Sequence, residues 1–283
     1  KLFEGILEMD AAGVAEELRR ELIAAYPGSA VEIELLARCG SALPAVLRGE
    51  ADPLQLLFQP AEGAGNVYGD SPFARLLNET VADVVARISA EATRPIRILE
   101  IGAGTGGTTA TVVNRIAERN GAIDYRFTDL SAAFLSKAQE RFAAHPFVSF
   151  EVLDIERDPI AQGFEAGSFD VVIAANVLHA TAELRVSLAH ARQLLAPGGA
   201  LILLEAVKPS RFSDLIFGLT EGWWRFRDHD LRAEHPLLSR DRWLSLLADE
   251  KFDADAIDAA SGEQAILVAR GEAGPAPGWI VGG

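Results

Sequence analysis

The sequence predicts an α/β protein, a seven-stranded doubly wound sheet preceded by a helical subdomain, and three observations carry that expectation. Up to about residue 60, apolar residues recur at helical spacing, as in Val14, Leu18, Leu22 and Ile23. From Ile96 onward, short apolar runs alternate with segments of helical composition, the pattern of a parallel sheet covered on both faces. The first of these runs ends in the glycine-rich loop Gly102-Ala-Gly-Thr-Gly106, at a strand-to-helix turn where open α/β sheets bind nucleotides.

In chain order, the stretch 30–36 (Ala-Val-Glu-Ile-Glu-Leu-Leu) begins a further apolar stripe, so residues 1–65 read as a helical cap. Residues 59–70 are rich in breakers and read as a connector. Ser71-Pro72 supplies an N-cap followed by proline at the first helical position, and the helix it opens runs to about Ser89. The candidate strands are 97–101, 125–129, 148–152, 169–174, 200–205, 252–257 and 264–269, inside a core of 66–270. Residues 208–234 show no strand and are dense in aromatics, among them Phe212, Phe217, Trp223, Trp224 and Phe226, so they read as a lid insertion. Ordinary packing of an amphipathic helix is the competing reading for each aromatic. Residues 271–283 hold two prolines and five glycines and read as a linker or tail.

Composition excludes several classes of function. With 283 residues, 49% of them apolar and 24% charged, the chain has the makings of a folded core with an appendage and not of a disordered segment. A formal net charge of −15 repels phosphate backbones and anionic lipids, so neither nucleic acid nor membrane is an expected partner. Cys39 is the only cysteine, which rules out an internal disulfide and a cysteine-based zinc cluster; no metal is expected, and the cytoplasm is the expected compartment. No apolar run reaches the roughly 18 residues of a membrane span, and the start lacks the features of a signal peptide. The missing initiator Met reads as an excised piece.

The glycine loop matters because a Cβ would block close approach of backbone to ligand, while the helix that follows presents unpaired N–H groups. The next strand ends at Asp129, whose carboxylate can accept hydrogen bonds from both ribose hydroxyls of a nucleoside; an N-cap is the competing role, for which Ser131 is better placed. His179 follows the fourth strand at the edge where ligands sit, although a lone histidine is as readily structural. The fifth strand ends in Glu205 after an otherwise apolar run. A carboxylate bonded to one imidazole nitrogen fixes the tautomer and stabilises the imidazolium, leaving the other nitrogen to act as base. A helix cap or a bond to Lys208 competes for Glu205.

A dinucleotide fold would show Gly-x-Gly-x-x-Gly, whereas Glu100-Ile-Gly-Ala-Gly-Thr-Gly106 resembles the loop of class I S-adenosylmethionine-dependent methyltransferases, which have a Rossmann-like sheet. The resemblance implies S-adenosylmethionine as cofactor and S-adenosylhomocysteine as product, with Glu100, Gly102, Gly104, Gly106, Asp129, Leu130 and Asn176 at the cofactor. It also implies Asp154 at the adenine amino group and Ile155 against the ring, with capping of the next turn as the competing role of Asp154. The family's strand order makes the fourth and fifth strands neighbours, within which Glu205 could reach His179.

A narrower resemblance rests on Asn176-Val-Leu-His-Ala-Thr181, Leu203-Leu-Glu-Ala-Val207, Phe217-Gly-Leu-Thr-Glu-Gly-Trp-Trp-Arg-Phe226, Pro236-Leu-Leu-Ser239 and Tyr68-Gly-Asp-Ser-Pro-Phe73 with Asn78. These are similar to the C-methyltransferase domains of modular polyketide synthases, over about residues 60–270. In that family a His–Glu pair deprotonates the α-carbon of a β-ketoacyl thioester, and the enolate takes the methyl group. The resemblance implies His179 as base, Glu205 as its partner with Glu221 in reserve, and Tyr68 as an active-site tyrosine. It implies as partners an acyl carrier protein bearing a phosphopantetheine-linked β-ketoacyl chain and neighbouring synthase domains of the same polypeptide; Arg225 and Arg227 could meet the phosphate or the carrier. The helical cap corresponds to the family's lid by position only. A catalytically silent structural domain and a small-molecule O- or N-methyltransferase are the rival readings.

Overall fold

The computed structural model describes residues 11–57, 71–92, 94–117 and 123–271. Tyr68, the connector around it and the tail beyond Gly271 lie outside them. The chain divides into two compact units, one comprising residues 1–74 with Arg211–Thr220, the other Arg75–Ser210 with Glu221–Gly283.

In the first unit, helices α1 (Ala11–Ala25), α2 (Ala30–Leu47) and α3 (Pro53–Leu57) are joined by tight turns. Leu35 and Cys39 of α2, one helical turn apart, meet Leu57 and Ile216, with Phe212, Phe217 and Leu219 packed around them. The segment 208–234 is therefore divided: Arg211–Thr220 belongs with these helices, and its remainder from Glu221 with the sheet.

The second unit holds strands β1 (Ile96–Ile101), β2 (Ile123–Asp129), β3 (Val148–Val152), β4 (Phe169–Ala175), β5 (Leu195–Ala206), β6 (Phe252–Asp258) and β7 (Gln264–Gly271), in the order β3-β2-β1-β4-β5-β7-β6. The chain enters it through α4 (Pro72–Glu91), whose Ser71 cap accepts a hydrogen bond from the Ala74 N–H at 3.1 Å. Helices α5 (Gly107–Ile116), α6 (Ala132–Arg141) and α7 (Leu184–Leu194) follow β1, β2 and β4, and α9 (Arg240–Asp249) precedes β6; α8 is Arg211–Ile216 of the first unit. The inner strands are buried on both faces, which is why they read as continuous apolar runs. Alternate residues Leu99 and Ile101, Val172 and Ala174, and Leu201 and Leu203 share one core with Leu188 and Ala191 of α7 and Trp243 and Leu247 of α9.

Two features depart from the sequence expectation. The sheet is mixed, because β7 runs antiparallel between β5 and β6. Only residues 259–263 join β6 to β7, too few for the crossover that parallel neighbours require. Strand β5 also begins five residues earlier than expected: Leu195 pairs with Phe169, and the register resumes only at Val171 and Ala200. Gly199 sits in this irregularity, where a Cβ would stand 2.9 Å from the Ala196 carbonyl and 3.0 Å from that of Phe169.

Candidate active site

Four strand ends converge on the carboxyl edge of the sheet. The register pairs Glu100 with Phe127 and Ile101 with Ala174, so Gly102, Asp129 and Asn176 leave their strands at one level. On the far side Ala175 pairs with Leu204, bringing Glu205 beside Asn176.

The glycine loop is held in left-handed conformations at Gly102, Gly104 and Gly106, with φ of 59°, 56° and 76°. Each serves a different neighbour. A Cβ on Gly102 would stand 2.8 Å from Val177, and one on Gly106 would stand 2.9 Å from the Phe142 ring. Gly104 meets nothing closer than the Gly102 carbonyl at 3.9 Å, so its missing side chain leaves open space at the loop. The Asp129 carboxylate faces this loop, accepting hydrogen bonds from the Gly104 N–H at 2.9 Å and the Ser131 N–H at 2.7 Å. A carboxylate has about four acceptor sites, so acceptor capacity remains for a ribose hydroxyl. Burial raises the Asp129 carboxyl above the usual range, against the opposing pull of the backbone donors at Ser131, Gly104 and Leu130. Ser131 caps α6 by position, without a side-chain bond. Leu130 is exposed beside Asp129. An open glycine cradle, a nearby carboxylate and an exposed apolar side chain together suit a nucleoside cofactor such as S-adenosylmethionine.

Glu100 faces inward. Its Oε2 accepts hydrogen bonds from the Thr109 hydroxyl at 2.5 Å and the Tyr125 hydroxyl at 2.6 Å, tying β1 to α5 and β2 around the loop. Burial pushes this carboxyl up to about 7, the nearby Asp129 adds to the rise, and the two hydroxyls oppose it. Because the folded chain then holds a proton that the unfolded chain releases near 4.5, stability attributable to Glu100 is present at low pH and lost as pH rises from about 4.5 to about 7. The expected size is on the order of 3 kcal/mol. Denaturant titrations of wild type and Glu100→Gln across this window should differ in slope, with the variant flatter; parallel curves would contradict the assignment.

Asp154 is half-buried after β3: its Oδ1 accepts a hydrogen bond from the Glu156 N–H at 3.0 Å and its Oδ2 lies 3.2 Å from Arg157 Nε. Ile155 points into the sheet's apolar core, and its carbonyl lies 2.7 Å from His190 Nδ1. Asn176 adopts φ of 55° and donates its N–H to the Leu204 carbonyl at 2.6 Å, which turns the chain sharply out of β4.

That turn delivers His179. The imidazole, 7% exposed, lies in the short 3₁₀ turn Leu178–Ala180, with Nδ1 2.6 Å from Oε2 of the fully buried Glu205. The other carboxylate oxygen accepts hydrogen bonds from the Leu178 N–H at 2.9 Å and the Val177 N–H at 3.3 Å. A carboxylate only accepts, so Nδ1 carries the proton of this bond, and in the neutral ring Nε2 holds the lone pair. Trp223 meets the imidazole edge-to-face at 5.3 Å, and His235 meets Trp223 in turn at 5.8 Å. Glu221 is exposed in the turn Glu221–Trp224. Arg225 pairs with Glu156, and Arg227 is exposed.

Sequence reasoning did not single out Arg232 and Asp228, a buried ion pair at 2.6 Å. Arg232 donates to the carbonyls of His179, Thr181 and Ala182, and Asp228 accepts from the Leu184 N–H. The only signal was an Asp and an Arg four residues apart in a stretch without apolar periodicity. Among the described residues no cluster of three or more potential metal ligands forms, and no helix is long and apolar enough to cross a membrane.

Residues 99–201 match the family described as a methyltransferase domain. The fold superposes on the CurJ carbon methyltransferase with a TM-score of 0.87 and 44% identity, covering 91% of this chain and 71% of that one. The C-methyltransferase domain of the citrinin polyketide synthase gives a TM-score of 0.83 and 31% identity, covering 90% and 68%. Among curated relatives, the non-reducing polyketide synthase pks11 of Talaromyces marneffei is 38% identical over 235 residues, 81% of this chain and 9% of that protein. Polyketide synthase ThaG of Burkholderia thailandensis is 41% identical over 240 residues, 80% of this chain and 4% of that protein. The chain thus spans less than a tenth of the length of these multidomain relatives. With its sheet order, glycine loop and chain-wide similarity to these structures, the chain belongs to the S-adenosylmethionine-dependent carbon methyltransferase domains of polyketide synthases.

Proposed function

We propose that the chain methylates the α-carbon of a β-ketoacyl thioester carried on an acyl carrier protein, with His179 as the base. The observation that carries this reading is the buried His179–Glu205 pair at the sheet edge that also bears the cofactor loop. S-adenosylmethionine, when bound, supplies an electrophilic methyl group and leaves as S-adenosylhomocysteine. The α C–H of a β-ketothioester is acidic enough for an imidazole to remove, so Nε2 takes the proton while the electron pair passes into the enolate. Glu205, anionic and held by two backbone N–H groups, receives the Nδ1–H throughout and stabilises the imidazolium that forms. Trp223 packs edge-to-face against the ring, which is nearly buried.

Asp129, Leu130 and the three glycines are proposed to hold the nucleoside and Asn176 to bound that pocket, with Asp154 at the adenine and Ile155 supporting it from the core. Asp129→Ala is expected to raise the cofactor Kd at least about tenfold, since a hydrogen bond to a charged group contributes about 1.5 kcal/mol or more. Calorimetry measures this directly, and an unchanged Kd would remove Asp129 from the pocket. The acceptor is tested with an acyl carrier protein loaded with a β-ketobutyryl group and incubated with the chain and S-adenosylmethionine. Intact-mass spectrometry should show the gain of one methylene unit per methyl, placed on the α-carbon by fragmentation. No gain with cofactor bound would move the reading to another acceptor.

A further inference from the structure

We propose that Arg232, anchored by Asp228, is a positioning residue for His179, acting on the backbone of residues 179–182 and not on the imidazole itself. This rests on the reading of His179 as base.

Arg232 is 1% exposed and directs its donors at one short loop. Nη1 donates to the His179 carbonyl at 2.8 Å, and Nη2 donates to the Thr181 carbonyl at 2.8 Å and the Ala182 carbonyl at 3.1 Å. Nε donates to Asp228 Oδ1, and Asp228 Oδ2 accepts the N–H of Leu184, the first residue of α7. One ion pair therefore holds both ends of the stretch 179–184. Glu156 grips it from another side, accepting the Ala182 N–H at 3.3 Å. Within the loop, the Thr181 hydroxyl donates to the Leu178 carbonyl at 2.8 Å.

Stability alone is a weak reason for such a pair. Taking a guanidinium and a carboxylate fully out of water is costly, and apolar side chains of similar volume commonly serve a core as well or better. Three carbonyls of a single turn, one of them belonging to His179, are what apolar residues could not hold. The planar guanidinium offers five N–H donors in a fixed fork, a geometry that an ammonium cannot reproduce. The consequence is kinetic. Glu205 fixes the ring and Arg232 fixes the backbone that carries it, and a displacement of about 1 Å in a catalytic group can cost roughly a hundredfold in rate.

The test uses two variants of the 283-residue chain that keep the buried charges balanced. Arg232→Lys retains the partner of Asp228 but cannot span the three carbonyls; Asp228→Leu/Arg232→Met removes both charges together. The readout is enzyme-dependent exchange of the α-hydrogens of a β-ketobutyryl-loaded carrier protein in D₂O without cofactor, followed by mass spectrometry. Melting temperature, calorimetric affinity for S-adenosylmethionine and a parallel His179→Ala sample accompany it. Both variants should melt as cooperative folds and bind cofactor as wild type does, yet exchange at least about tenfold more slowly. Wild-type exchange in either folded variant, with His179→Ala inactive, would overturn the positioning role and leave the base intact. Wild-type exchange in His179→Ala would overturn both.

Discussion

His179→Ala is expected to lower single-turnover methyl transfer by roughly 10²- to 10⁴-fold, the usual worth of a positioned acid–base group, while leaving cofactor affinity near that of wild type. The separation follows from where the groups sit. His179, the proposed base, leaves the sheet after β4 and among the described residues hydrogen-bonds Glu205 through its side chain, whereas Asp129 ends β2 and the glycine loop follows β1. Glu205 keeps its two backbone donors in the variant, so the turn retains its main anchor. Rapid-quench measurement with a loaded carrier protein, beside calorimetry with S-adenosylmethionine, gives both quantities; single-turnover rates at the wild-type level would show that another group removes the proton.

Glu205→Gln should cost about as much as removing the histidine, for a reason of proton placement and not of charge alone. The Leu178 and Val177 N–H groups require an oxygen where Oε1 now stands, so the amide oxygen takes that place and the NH₂ faces Nδ1. Nδ1 must then accept, which moves the imidazole proton to Nε2, the atom proposed to receive the substrate's proton. A loss of roughly 10²- to 10⁴-fold in kcat is expected, with an unchanged cofactor Kd and a melting temperature close to wild type because both backbone donors stay satisfied. A near-wild-type kcat would mean that Glu205 does not set the tautomer.

The inner strands were legible because strands buried on both faces must be apolar throughout, and each of the seven candidate runs overlaps one strand of the described sheet. The glycine loop was legible from its residues, and the structure adds that close packing against Val177 and Phe142 and a left-handed backbone both demand glycine there. The His179–Glu205 contact was within reach once β4 and β5 are taken as neighbours, since Glu205 lies at the end of β5 and His179 in the turn just beyond β4. Strand direction was less accessible: nothing in 264–269 distinguishes a parallel strand from an antiparallel one, and only the short connection to β6 decides it. The extension of β5 back to Leu195 was hidden by Pro197-Gly-Gly, which reads as a turn but forms an irregular continuation of the ladder. The hold of Arg232 on the loop was beyond reach because the three carbonyls it bonds lie about fifty residues away and carry no sequence identity.

The three-way grip of Glu205 has an evolutionary consequence. A lineage that ceased to use this domain for chemistry, keeping it only as a spacer within a synthase, could lose His179 at the cost of its contact with Trp223 and its bond to Glu205 Oε2, where a protonated carboxyl would carry no buried charge. It would not be equally free to lose Glu205, because the buried Leu178 N–H would be left without its acceptor, at a cost of about 1 to 3 kcal/mol. Decay of function should therefore be asymmetric, the imidazole disappearing first and the carboxylate persisting as a relic of the fold. A relative carrying the glutamate without the histidine would bear the mark of a retired enzyme.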